Sequence, residues 1–294
     1  MRVLVVGATG FIGQRLVRAL NDAGHDVVAF SRSASEESVP EGVEPFDGDL
    51  GDPDTLSGLC DGVDAAYYLI HSLTAENFAE LDREYARRFS EIASEAGVDR
   101  VVYLSGISGD EENLSPHLAS RREVESVLAE GSYDLTVLRA AVIIGAESAS
   151  FRILNDLTDR LPVMLVPKWV RTPCQPIGVR DAIAYLVAVL DADETRGETY
   201  DIGGPSVWSY ESLLKLTARE KGKRVFIVPV PVMTPALSSH WLRLTTDVQY
   251  AIARPLAESM RNPVTVDPEL DLQDVVPIDQ TPIEDAVREA LVSA

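Results

Sequence analysis

Short apolar runs alternate along the chain with longer stretches of helical periodicity. Val3 to Val6 form a continuous apolar run that stops at Gly7, the pattern of a strand buried on both faces. Ile12, Leu16, Ala19, Leu20 and Ala23 then recur at helical spacing, Gly24 closes the helix, and Val27 to Phe30 supply a second strand. A short third strand precedes "GDLGDPDTL" (48–56), where Pro53 marks a helix start. "DAAYYLIHS" (64–72) reads as a fourth strand ending in Ile70-His71-Ser72. Phe78, Leu81, Tyr85, Phe89, Ile92 and Ala96 form a helical stripe that closes at Gly97. "RVVYLSGIS" (100–108) is a fifth strand, Leu118 to Glu130 a helix, and "YDLTVLRAAVIIG" (133–145) a sixth strand running into a loop. The alternation predicts an α/β fold, a doubly wound parallel sheet.

The first βαβ unit carries a glycine loop, Gly7-x-x-Gly10-x-x-Gly13, in place of the commoner G-x-G-x-x-G. The needs are the same: a tight turn, close backbone approach, and a helix lying tight on its strand. Backbone N–H groups and the helix dipole there favour a pyrophosphate. The second strand ends in Phe30-Ser31-Arg32, with no acid to hold a ribose 2′-hydroxyl. Ser31 and Arg32 suit a 2′-phosphate instead, so NADP(H) is expected over NAD(H).

After about residue 145 the pattern loosens into "RLPVMLVPKWVRTPCQPIG" (160–178) and "VFIVPVPVMTPALSSHWLRL" (225–244). The chain therefore divides into a dinucleotide-binding part, 1–145, and a C-terminal part, 146–294, that partly completes the sheet and forms a small lobe over the substrate. Pro229, Pro231 and Pro235 would hold the backbone extended before a helix carrying Leu237, Trp241, Leu242 and Leu244. Such an apolar wall suits a hydrophobic substrate; ordinary core packing accounts for the same pattern. A last helix, Pro282 to Val292, reads as a peripheral cap.

Composition narrows the partners. Asp and Glu number 47 against 26 Lys and Arg in 294 residues, a net charge of −21. Such a surface repels phosphate, which argues against nucleic acid and anionic membranes. Acid-rich and Lys-poor, it suits a halophilic source or simply an acidic cytoplasmic protein. Cys60 and Cys174 lack metal-ligand spacing and the four His are scattered, so no metal site is expected. No apolar run approaches the roughly 18 residues of a membrane span, and the first strand begins at once, leaving no room for a signal peptide. A cytoplasmic location is expected.

"GATGFIG" (7–13), Asp49 after the third strand, Ser105 at a strand end, "VRDAIAYLVAVL" (179–190) and "ETYDIGGPSVWSYESLL" (198–214) together resemble the extended and atypical short-chain dehydrogenase/reductases over nearly the whole chain. "YYLIHS" and "LSPHL-x-SR" narrow the likeness to the NmrA-like and complex I 39-kDa-subunit-like branch. The resemblance implies a Rossmann-type cofactor domain with a small C-terminal substrate lobe. It implies cofactor contacts at Gly7, Thr9, Gly10, Phe11, Ile12 and Gly13, with Asp49 and Leu50 by the adenine. Leu69 and Ile70 would line the cofactor with His71 nearby, and Ala141, Val142 and Ile143 would approach the nicotinamide. The helix over 75–96 is by analogy a dimer face, although packing on the sheet explains its stripe equally; monomer, homodimer and association with a larger complex all fit.

Active members of that superfamily use a Ser, a Tyr and a Lys four residues after the Tyr. Here those places fall to Ser105, His117 and Arg121. One reading is an NADPH-dependent oxidoreductase of a small hydrophobic carbonyl, enone or quinone-like compound, with His117 as proton donor, Ser105 polarising the carbonyl and Arg121 on the ribose. Arg121 would lower the pKa of an adjacent His, and Tyr67, Tyr68 or His71 are alternative donors. The other reading is a non-catalytic NADP(H)-binding regulator or complex subunit, with Arg121 kept as a phosphate or ribose anchor.

Overall fold

The computed structural model describes residues 1–72, 74–75, 77–108, 114–230 and 246–293. The expected helix carrying Leu237, Trp241, Leu242 and Leu244, with Pro231 and Pro235 before it, lies outside the described residues.

The apolar run at the start forms β1 (Arg2–Val6), in which Val3 to Val6 are fully buried. It is followed by α1 (Phe11–Asp22), β2 (Asp26–Ser31), β3 (Glu44–Asp47), β4 (Ala65–Tyr68), α2 (Phe78–Ala96), β5 (Arg100–Gly106), α3 (Pro116–Leu128) and β6 (Asp134–Ala140). β7 (Ile143–Ile144), α4 (Ala149–Arg160), β8 (Val163–Pro167), β9 (Pro173–Cys174) and β10 (Ile177–Gly178) leave the sheet. α5 (Val179–Ala188) and β11 (Thr199–Ile202) return to it. β12 (Trp208–Ser209), α6 (Tyr210–Glu220), β13 (Phe226–Val230), α7 (Tyr250–Ser259) and α8 (Ile283–Val292) complete the described elements.

Seven strands pair in parallel in the order β11-β6-β5-β4-β1-β2-β3. α1 and α5 pack on one face, where Leu16, Leu20, Ala182 and Leu186 join Val3, Val5 and Tyr67. α2 and α3 cover the other, where Phe89, Val124 and Leu128 join Leu4, Val6 and Tyr68. Burial on both faces explains the unbroken apolar strands. Strand order reverses between β1 and β4, the place where such sheets open a crevice at their carboxyl ends.

Three boundaries differ from the sequence expectation. β4 stops at Tyr68, because the Leu69 N–H closes the ladder on the Val6 carbonyl (2.9 Å) and β1 then turns away at Gly7. Ile70 and His71 therefore belong to a loop. The helix expected at Pro53 is a single 3₁₀ turn, Pro53–Thr55. α8 is no peripheral cap: Ile283, Ala286 and Val287 sit in the second lobe's core with Phe151, Leu213 and Leu214.

β11 brings one buried acid to the edge of the sheet. Asp201 accepts the Asp267 N–H at 3.0 Å, and burial, with Asp267 and Asp271 nearby, pushes its carboxyl from 3.8 up to about 6. The folded state thus binds this proton more tightly than the unfolded chain. Stability should be fullest below about pH 4 for this group and fall as pH rises to 6, a swing of about 3 kcal/mol. Asp201→Asn is expected to flatten that part of a urea-midpoint profile; an unchanged slope would contradict the assignment.

Candidate active site

The glycine loop builds the floor of the site. Gly7 has φ of +94°, open to glycine at no steric cost, and this lets the Gly7 and Ala8 N–H groups both reach the Phe30 carbonyl at 3.1 Å. A Cβ on Gly13 would lie 2.2 Å from the Gly7 carbonyl oxygen, so only glycine lets α1 sit this close to the loop. No side chain caps α1, which leaves its first-turn N–H groups facing the loop.

Above this floor lies a cleft of about 350 Å³, within the usual range for a small-molecule site. Gly7, Thr9 and Gly10 line its base, and Ser31 and Arg32 its β2 side. Asp49 and Leu50 come from beyond β3, and Leu69, Ile70 and His71 from beyond β4. Arg32 is exposed, while the buried Ser31 accepts the Ser33 N–H (3.3 Å). At the start of α1 the side chains turn away from the cleft and leave the backbone to face the loop: Phe11 packs on Gly145 under the Arg15 guanidinium, Ile12 packs against the α1 core, and Gly13 is enclosed.

α3 is pinned at three points. Ser115 caps it, accepting the Leu118 N–H at 3.3 Å, and its hydroxyl pairs with that of Ser259 on α7 at 2.9 Å. The buried Glu125 pairs with Arg139 on β6 at 2.6 Å. Arg121 donates to the Leu104 carbonyl at 2.8 Å with its guanidinium over the Tyr103 ring. So held, α3 puts His117 on the wall of a second, mostly apolar cavity with Ile107, Leu118, Leu154 and Met260. Ala141 and Val142 line this cavity, whereas Ile143 packs into the core under α1.

Several residues expected at the site lie apart from both cavities. Ser105 is 4% exposed on the α3 side of β5 beside Glu125, and it lines neither cavity. Arg121 faces the end of β5, and it is not among the residues lining the cleft. Tyr67 donates to the Leu186 carbonyl under one face of the sheet, and Tyr68 stacks among Phe89 and Tyr103 under the other. Both phenols are fully buried, which raises them, and neither lines a cavity.

His71, by contrast, reaches His117. Their Nε2 and Nδ1 atoms are 3.0 Å apart, with ring centroids at 4.9 Å. The other nitrogen of His71, Nδ1, is 2.7 Å from Asp82 Oδ2, and Asp82 Oδ1 accepts the Ser72 N–H at 2.7 Å. Burial alone would raise the Asp82 carboxyl, but the hydrogen bonds from His71 and Ser72 hold it below its ordinary value. Burial, then the Arg121 charge, lowers His71 against the pull of Asp82. Burial, His71 and Arg121 lower His117 much further, since nothing opposes them. Asp82 is the member that sequence reasoning missed. Its signal was available: an acid on the stripe of Phe78, Leu81, Tyr85 and Phe89, where a buried charge needs a partner.

A family model described as NAD(P)H-binding matches residues 7–161. The chain is 26% identical to a photosystem II assembly factor, Ycf39, of Synechocystis over 239 residues, 79% of this chain and 71% of that one. It is 32% identical to the ceramide reductase of Caulobacter vibrioides over 191 residues, 63% of this chain and 60% of that protein. The solved structure of the Citrobacter triphenylmethane reductase complexed with NADP(H) superposes with a TM-score of 0.78 at 19% identity, over 98% of this chain and 99% of the other.

The packing of Gly13 generates a direct test. Gly13→Ala must push α1 off the loop, and is expected to lower stability by about 1–3 kcal/mol and to weaken NADPH binding at least tenfold. Urea unfolding and NADPH fluorescence titration read the two effects; a variant unchanged in both would show that the close approach is not required.

Proposed function

The chain belongs to the NAD(P)H-binding family, with the fold of the atypical short-chain dehydrogenase/reductases, and on that premise we propose that it is an NADP(H)-dependent oxidoreductase of a small hydrophobic carbonyl, enone or quinone-like compound. The observation that carries this reading is the contact between His71, which lines the cofactor-type cleft, and His117, which lines the apolar cavity. A hydrogen-bonded link between a dinucleotide cleft and an apolar pocket suits the proton transfer that accompanies hydride delivery to a carbonyl.

The residues fit the cofactor. Gly7, Gly10 and the first turn of α1 would hold the pyrophosphate, with Asp49 and Leu50 beside the adenine. Ser31 and exposed Arg32, with no acid between them, would take a 2′-phosphate. Bound there, the reduced nicotinamide supplies a hydride. The chain's own part is to exclude water with Ile107, Leu118 and Val142, and to move a proton at the substrate oxygen through His117. Two similar proteins are named as reductases, of ceramide and of triphenylmethane dyes, which favours lipid-like or aromatic substrates. We place the activity in the cytoplasm, in a monomer or homodimer.

A second reading, a non-catalytic NADP(H)-binding subunit or assembly factor, draws on one surface. Val163 and Leu165 on β8 and Phe226 and Val228 on β13 are all exposed along a two-stranded parallel sheet, an apolar strip open to a partner. The likeness to an assembly factor points the same way.

NADPH oxidation measured against menadione, cinnamaldehyde and geranial separates the two. His117→Ala is expected to cut kcat/KM about 10²–10⁴-fold. Tight NADPH binding with no turnover would favour the subunit. Arg32→Ala should reduce NADPH affinity about tenfold while leaving NADH nearly unchanged; an unchanged ratio removes the 2′-phosphate assignment.

A further inference from the structure

The hydrogen-bond chain from Asp82 through His71 to His117 has a direction. An ionised carboxylate only accepts, so His71 carries its proton on Nδ1 and donates it to Asp82. Neutral His71 then has only a lone pair at Nε2, and His117 must donate to it from Nδ1. That leaves His117 Nε2 as the unprotonated end of the chain, at the apolar cavity. Asp82 has 2% of its side-chain surface exposed, so the orientation is enforced from the core.

We propose that Asp82, His71 and His117 form a two-histidine proton shuttle, in which His117 exchanges the proton with the substrate oxygen while the positive charge resides on His71 beside Asp82. His117 is the catalytic residue, and His71 and Asp82 act through it. This rests on the oxidoreductase reading above and adds to it the path of the proton.

In the loaded shuttle His71 bears protons on both nitrogens, shared with Asp82 and with His117 Nδ1, and His117 is neutral with its proton on Nε2. As the carbonyl carbon gains the hydride supplied by NADPH, which leaves NADP⁺, the carbonyl oxygen takes the proton from His117 Nε2. His117 Nδ1 takes the proton from His71 Nε2 in the same motion, and the shuttle ends neutral. A water proton entering at Nε2 reloads it after the alcohol leaves. Oxidation of an alcohol runs the same transfers in reverse.

The arrangement keeps charge out of the apolar cavity. An imidazolium at His117 would face burial, Arg121 and no carboxylate, whereas at His71 the same charge meets Asp82 at 2.7 Å. Among the described residues the charged groups around the pair are Asp82 from α2 and Arg121 from α3. Because both imidazoles are held below their ordinary 6.5, the neutral shuttle dominates at pH 7 and is poised as a base. Carbonyl reduction should therefore rise as pH falls through the shuttle's pKa, and alcohol oxidation should fall.

Imidazole ¹⁵N NMR on the cofactor-free chain tests the shuttle without turnover. At pH 8, Nδ1 of both His71 and His117 should be protonated. On acidification His71 should become doubly protonated while the His117 proton moves from Nδ1 to Nε2. Asp82→Asn should shift the loss of menadione reduction with rising pH about one unit lower and cut the rate at pH 7 roughly 100-fold. If Asp82→Asn does not fold, the wild-type titration decides alone. A His117 that becomes doubly protonated before His71, with turnover intact, overturns the shuttle and leaves the oxidoreductase reading standing. The expected titration with no NADPH oxidation on any of the three compounds overturns both.

Discussion

A carboxylate buried on the apolar face of a helix has to be satisfied by its neighbours, and in this protein that requirement organises the site. Asp82 on α2 takes up the Ser72 N–H and the His71 ring, both from the loop after β4. The loop is thereby held against α2 in place of continuing the strand, with Leu69 and Ile70 on the cleft and His71 turned to α3. An unpaired carboxylate there would carry a desolvation cost of several kcal/mol, so the loop conformation and the state of His71 are set together.

The parallel sheet makes this meeting possible. β4 and β5 are neighbours in the sheet, so the segments leaving their carboxyl ends emerge side by side, one toward the cleft and the other toward α3. The lobe built on α4, α6 and α8 then closes an apolar cavity over His117, tied down through the Ser115–Ser259 contact. Arg121 lies along the end of β5 as a fixed charge that biases both imidazoles toward neutrality.

The resemblance puts His117 and Arg121 in the places of the superfamily's Tyr and Lys, and the structure gives the two side chains different partners. A Tyr–Lys pair keeps donor and cation on one helix. Here the partner of His117 comes from the loop after β4, and the Arg121 guanidinium donates to the Leu104 carbonyl on β5. Ser105, one residue before Gly106 on the cavity wall, stays buried on the α3 side of β5 beside Glu125.

Much of this was legible along the chain. The apolar runs and helical stripes, the Gly7–Gly13 loop, the missing acid after Phe30 and the place of His117 at a helix start are all local. Each follows from residues within one βαβ unit, where periodicity and turn chemistry act over a few positions. The cleft lined by Gly7, Ser31, Arg32, Asp49 and Leu69 is the direct consequence of those signals. Tertiary structure alone decided which way side chains at the strand ends point. Tyr67 and Tyr68 went to opposite cores, Ser105 and Arg121 turned inward, and His71 met His117 across 46 positions of sequence with Asp82 behind it. A side chain's direction at a strand end depends on where the ladder stops and what the facing helix presents, and neither is written in the spacing of its own segment.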